Sequence, residues 1–202
     1  MFLPAINAGS IDCMAQFLIV DDLNTRYLTE KGRVHAVENV SFSLEDGESI
    51  GIAGESACGK STLGLSMIRM VPGGKIISGR ILVEGNPILE LSEEEFDKKY
   101  RWKKISMVFQ GAMNSLDPVF TVSQQLSDVL KQHGFDGDHS DAMKWAVHSV
   151  GLKENVLQKY PHELSGGMKQ RIVIAMALLL SQNYDCRRAN NRTRHAGSGT
   201  NS

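Results

Sequence analysis

Long hydrophobic runs are missing from this chain. Nowhere do 18 apolar residues follow one another, so the 202 residues contain no helix able to cross a membrane. Cysteine is scarce: Cys13, Cys58 and Cys186 are the only three, and they have no paired spacing. That excludes a disulfide scaffold and a cysteine-based zinc site, and it reads as a reduced, cytosolic context. Neither sign of charge dominates, since 22 Lys and Arg against 23 Asp and Glu leave a net charge of −1. A dedicated nucleic-acid binder would be strongly basic, so nucleic acid is not an expected partner. His35, His133, His139, His148 and His162 lack metal-ligand spacing, and no internal repeat is present. What remains, at 42% hydrophobic and 22% charged, is a globular domain long enough to bury a sizeable core.

Both ends differ from the middle. Residues 1–13 carry no Lys or Arg and only a short apolar run, so they are not a signal peptide. Met14 opens a clean strand pattern, and translation is expected to begin there, making 1–13 a non-native extension. After Leu180 the chain holds no Val, Ile, Leu, Met, Phe or Trp, but four Arg and one acidic residue. Such a segment cannot bury enough surface to offset its ordering entropy, so 181–202 is expected to be a disordered tail. The domain proper is 14–180.

Within it, 16–29 and 34–44 alternate apolar and polar positions and read as antiparallel strands joined at Lys31-Gly32. A turn at 45–47 leads to a strand over 49–53. A helix is expected over 61–70, stopped by Val71-Pro72-Gly73-Gly74, then a strand over 76–83 with a turn at 84–87. Ser92 to Glu95 has capping-box spacing ahead of a charged helix. A short buried strand is expected over 105–109, mostly helix over 122–157, and a buried helix over 172–180.

Two motifs carry chemistry. Gly54-Glu55-Ser56-Ala57-Cys58-Gly59-Lys60-Ser61-Thr62 fits GxxxxGK[ST], placed between an apolar strand and a helix. A triphosphate is densely anionic, and small residues let successive backbone N–H groups turn inward to hold it. Gly54 and Gly59 allow the tight turn. Lys60 brings a point charge to the β- and γ-phosphates, Ser61 offers a hydroxyl to Mg²⁺, and the following helix adds its positive end. Alkylation of Cys58 in this loop is expected to block nucleotide binding, with ATP protecting the thiol. The second motif, Leu164-Ser165-Gly166-Gly167-Met168-Lys169-Gln170-Arg171, precedes an apolar helix. Ser165 is an N-cap, and the two glycines leave the first amides of the helix uncovered, making a second anion site.

With these residues in view, the chain resembles the nucleotide-binding subunit of ABC transporters, most closely the dipeptide/oligopeptide/nickel importer branch. The resemblance rests on GESACGKST, ISMVFQGAMNSLDPVFTV, YPHELSGGMKQRIVIAMALLL and GRVHAVENVSFSLEDGESIGIAGE, and it covers about 17–180. It implies an α/β fold of the P-loop NTPase type, with an N-terminal antiparallel β-subdomain and a helical subdomain over about 111–163. It implies that Leu164, Ser165, Gly166, Gly167 and Gln170 belong to the signature that meets ATP on the P-loop of an opposing subunit. Gln110 matches the glutamine that touches Mg²⁺ or the attacking water, and Tyr27 is the candidate for stacking on adenine. It further implies ATP and Mg²⁺ as cofactors, a second nucleotide-binding subunit, two transmembrane permease subunits, an external solute-binding protein, and a peripheral place on the cytoplasmic face of the membrane. Rival readings are a non-hydrolysing ATP-binding remnant and a soluble ABC protein of repair or translation.

The family pattern continues with an apolar strand ending in Asp and Glu, a D-loop and a switch histidine, which these 202 residues do not contain. Back-translated with permitted codons and read one base out of register, the stretch from Asp185 spells IADEPTTGLD, which has that missing pattern. A frameshift near Leu180 is therefore expected, with the C-terminal part of the core lost, apolar surface exposed and hydrolysis poor.

Overall fold

The computed structural model describes residues 16–29 and 32–179. Residues 1–13 and 181–202, on which the terminal expectations fell, lie outside them. The chain divides into two compact units, with the boundary in the sequence between Glu93 and Glu94.

The first unit is built on a four-stranded antiparallel sheet ordered β2-β1-β3-β4. β1 (Gln16–Thr29) and β2 (Gly32–Glu45) pair along their full length, from Gln16↔Glu45 to Thr29↔Gly32, so the hairpin expected from the alternation is present. β3 (Gly74–Val83) runs along the other side of β1, from Leu18↔Val83 to Tyr27↔Gly74, and the short β4 (Asn86–Pro87) covers only its end. Leu18 and Val20 of β1 and Ile81 and Val83 of β3 are buried at alternate positions, the one-sided burial that period-two patterning produces, and Leu23 and Val37 are buried as well.

α1 (Lys60–Met67) follows the glycine-rich loop and turns Thr62, Leu63 and Ser66 inward. It ends in a Schellman arrangement, with Met70 N donating to Leu65 O and Arg69 in the left-handed region at φ 57°. An Arg there costs on the order of 1 kcal/mol relative to glycine. The guanidinium offsets this by donating to Ile88 O and Leu91 O at 3.0 and 2.9 Å and by pairing with Glu93. α2 (Glu93–Lys99) places acidic residues at its start and Lys98 and Lys99 in its last turn, as the helix dipole favours.

The second unit is helical. α3 (Val122–Gln132) starts at a capping box in which Thr121 accepts from Gln124 N, and α4 (His139–Ser149) is capped by Asp138. Val122, Leu126 and Leu130, one helical stripe, join Leu116, Ala142, Ala146, Val147, Val156, Leu157 and Leu164 in one core. Ile172, Ala175 and Leu179 of α5 (Gly166–Leu179) belong to the same core.

Two expected strands are not formed. Residues 49–53 are irregular, with Ile50 47% and Ile52 45% exposed, and 105–109 keeps only an isolated bridge between Arg101 and Ile105, with Val108 and Phe109 exposed. An apolar run becomes a strand only where a neighbour accepts its ladder and covers its faces. Among the described residues neither segment has such a neighbour.

Candidate functional site

The glycine-rich loop runs out of 49–53 and is exposed from Gly51 to Cys58. Ala57 (φ 64°) and Gly59 (φ 95°) both take left-handed backbone, which wraps the loop onto the start of α1. Gly59 is doubly constrained: a Cβ there would lie 2.0 Å from the carbonyl oxygen of Ala36 on β2. Ala36 is a residue that the motif alone does not reveal, because its part is played by a backbone atom.

Gly59 is also the N-cap of α1, and it offers no side chain to the helix. Leu63 N closes on Gly59 O at 2.8 Å, but the amides of Lys60, Ser61 and Thr62 have no acceptor among the described residues, and no acidic residue occupies the first turn. Three adjacent unpartnered donors at the positive end of a helix suit an anion. Lys60 Nζ meanwhile donates to Gly54 O at 2.8 Å and Glu55 O at 2.6 Å, and lies 3.4 Å from Cys58 Sγ. The ammonium therefore sits inside the loop, on neutral carbonyls that phosphate oxygens would outcompete. Ser61 is exposed and has no side-chain partner among the described residues, so its hydroxyl is open to a cation. The donor set fits a nucleotide phosphate chain with Mg²⁺.

Thr62 is different. It is buried, and its hydroxyl lies 3.3 Å from Tyr27 OH. The Tyr27 ring rests against Gly74, where a Cβ would be 2.9 Å from two ring carbons. The residue expected to stack on adenine thus already has its hydroxyl engaged on the phosphate loop.

The signature segment, in the second unit, opens α5. Ser165 Oγ accepts from Met168 N at 3.3 Å and Ser165 O from Lys169 N at 2.9 Å, so the expected N-cap is in place. Leu164 is buried beneath it, while Ser165, Gly166, Gly167 and Gln170 are exposed. A Cβ on Gly167 would meet nothing within 4 Å, and one on Gly166 only Met113 Sδ at 3.8 Å. Packing among the described residues therefore does not require the two glycines. Gln110 is exposed just before the 3-10 turn Ala112–Ser115, which packs on α5 through Met113. The structure thus puts Gln110 and the signature in one unit and the phosphate loop in the other.

Comparison with known proteins agrees with these features. The family model described as ABC transporter matches residues 37–184. The dipeptide transport ATP-binding protein DppD of Caldanaerobacter subterraneus subsp. tengcongensis is 40% identical over 172 residues, which cover 83% of this chain and 52% of that protein. The oligopeptide transport ATP-binding protein AppD of Bacillus subtilis is 38% identical over 172 residues, covering 82% and 52%. The chain spans about half the length of these curated relatives. Among solved structures, the dimeric post-hydrolysis state of the ATP-binding cassette MJ0796 bound to ADP and Pi aligns with a TM-score of 0.68 at 26% identity, covering 81% of this chain and 69% of that one.

Proposed function

Because the chain belongs to the ABC transporter family, we propose that it is the ATP-binding subunit of an importer for peptides or a related small solute. In this reading the amides of Lys60, Ser61 and Thr62 receive phosphate oxygens, Lys60 leaves Gly54 O and Glu55 O for the β- and γ-phosphates, and Ser61 ligates Mg²⁺. Gln110 completes the metal or water contact. Ser165, Gly166 and Gly167 close over the nucleotide of a second nucleotide-binding subunit, for which the open space at both glycines leaves room. This subunit sits peripherally on the cytoplasmic face of the membrane against two permease subunits, and an external solute-binding protein acts with them from the other side. The observation that carries the proposal is the row of three unpartnered amides beside the Lys60 ammonium.

Calorimetry with Mg-ATP tests it. The chain is expected to bind, and Lys60→Ala to weaken binding by roughly ten- to a hundredfold, the worth of a charge-assisted hydrogen bond. No heat of binding from the folded wild-type chain sinks the proposal.

A second reading, an ATP-binding form that barely hydrolyses, is favoured by one observation. Residues 49–53 lead into the phosphate loop without a ladder partner among the described residues. Measuring binding and turnover on one preparation separates the two: binding without phosphate release identifies the second.

A further inference from the structure

Thr25 and Ser66 are fully buried polar residues that no motif singles out, and each has a partner. Their meeting begins with an irregularity in β1. Asp22 has φ 48°, and the pairing of β1 shifts register at this point against both β2 and β3. A bulge of this kind changes which side the following residues face. Leu18 and Val20 are buried before it; after it Leu23 and Thr25 are buried, with Asn24 between them tied to Asp22 O and Asn39 N within the irregularity. Tyr27 stands two positions beyond Thr25.

Opposite them, Thr62 and Ser66 stand four apart on α1, on one side of the helix. Two residues of strand advance about 6.7 Å and four residues of helix about 6 Å, so the pairs can meet in register. They do. Thr25 Oγ1 lies 2.9 Å from Ser66 Oγ, and Tyr27 OH lies 3.3 Å from Thr62 Oγ1. Ser66 Oγ also donates to Thr62 O at 2.7 Å. That carbonyl can only accept, so the Ser66 proton is committed there and Thr25 is the donor to Ser66. Thr62 is thereby held at its hydroxyl by Tyr27 and at its carbonyl through Ser66 and Thr25. Gly74 supplies the room for the tyrosine ring.

We propose that Thr25 and Tyr27 are positioning residues for the triphosphate site. By fixing Thr62 from β1 they set the axial position of α1, and with it the amides of Lys60, Ser61 and Thr62. This rests on the ATP-binding reading above and deepens it. The Tyr27 hydroxyl then serves the phosphate chain, whereas stacking on a base would use only the ring.

The test is titration of the full chain with two ligands, Mg-tripolyphosphate, which has no base, and Mg-ATP. Tyr27→Phe and Thr25→Val are each expected to weaken both ligands by the same factor, about two- to tenfold for one net hydrogen bond, and Thr25→Ser to restore wild-type affinity. Tripolyphosphate affinity unchanged in Tyr27→Phe, or a loss confined to ATP, overturns the proposal. So does a Thr25→Val chain that melts lower yet binds tripolyphosphate like wild type. Failure of the wild type to bind either ligand removes the ATP-binding reading itself, and is seen before any variant is compared.

Discussion

Gly59 is where the local conformation and the wider fold make the same demand. Its φ of 95° disfavours any side chain, and the Ala36 carbonyl 2.0 Å from an added Cβ forbids one. Gly59→Ala is therefore expected to cost on the order of 1–3 kcal/mol in stability from backbone strain alone, and also to disturb nucleotide binding; denaturant melts and calorimetry measure the two losses. Cys58 gives a chemical readout of the same loop. Its thiol is exposed and close to Lys60 Nζ, so alkylation should block Mg-ATP binding and saturating Mg-ATP should slow labelling. Equal labelling with and without nucleotide would count against a phosphate site here. Both residues were legible in the sequence, because the GxxxxGK[ST] spacing is a local signal. Ala36, Thr25 and Ser66 were not. The Ala36 carbonyl meets Gly59 across 23 positions and the Thr25 and Ser66 hydroxyls pair across 41, and a Thr in an alternating strand looks like part of its solvent face.

At the scale of elements, the hairpin, α1 and β3 follow the pattern expected from turn residues and apolar spacing, while α5 begins at Gly166, six residues ahead of the helix expected over 172–180. Ser165 accepts from Met168 N as expected of an N-cap, and the structure adds Thr121 and Asp138, caps that were not singled out in the sequence. The end of α3 carries a pH prediction. His133, at the C-cap, lies with its ring 6.2 Å from that of Trp102. Burial, and secondarily the nearby Lys103 charge, hold its pKa below the usual 6.5. The unfolded imidazole therefore takes up its proton at a higher pH than the folded one. Its contribution to stability is fully present above about pH 6.5, and is lost as pH falls from there to the folded pKa. His133→Gln should flatten that part of the stability profile between pH 7.5 and 5, as followed by urea denaturation. An unchanged slope in the variant would assign the acid sensitivity to other groups.

On the scale of the whole molecule, the segment feeding the phosphate loop remains open. Ile50 and Ile52 keep nearly half their surface in water, and in the other unit Val108 and Phe109 are exposed as well. Exposed apolar patches of this kind drive association. The chain should bind an apolar dye and scatter light increasingly with concentration, and the double variant Ile50→Thr, Ile52→Thr should reduce both signals; equal dye fluorescence in the two proteins would show that this segment is covered. Local information was enough to place the glycine-rich loop ahead of α1, the hairpin and the Ser165 cap, since each is written in neighbours a few residues apart. Tertiary structure alone decided the bulge phase that aims Thr25 and Tyr27 at α1, the carbonyl that makes Gly59 obligatory, and the fact that 49–53 and 105–109 are not strands. The reason is physical: a ladder or a buried hydroxyl pair exists only when both partners arrive, and the partner is set by the fold and not by the segment itself.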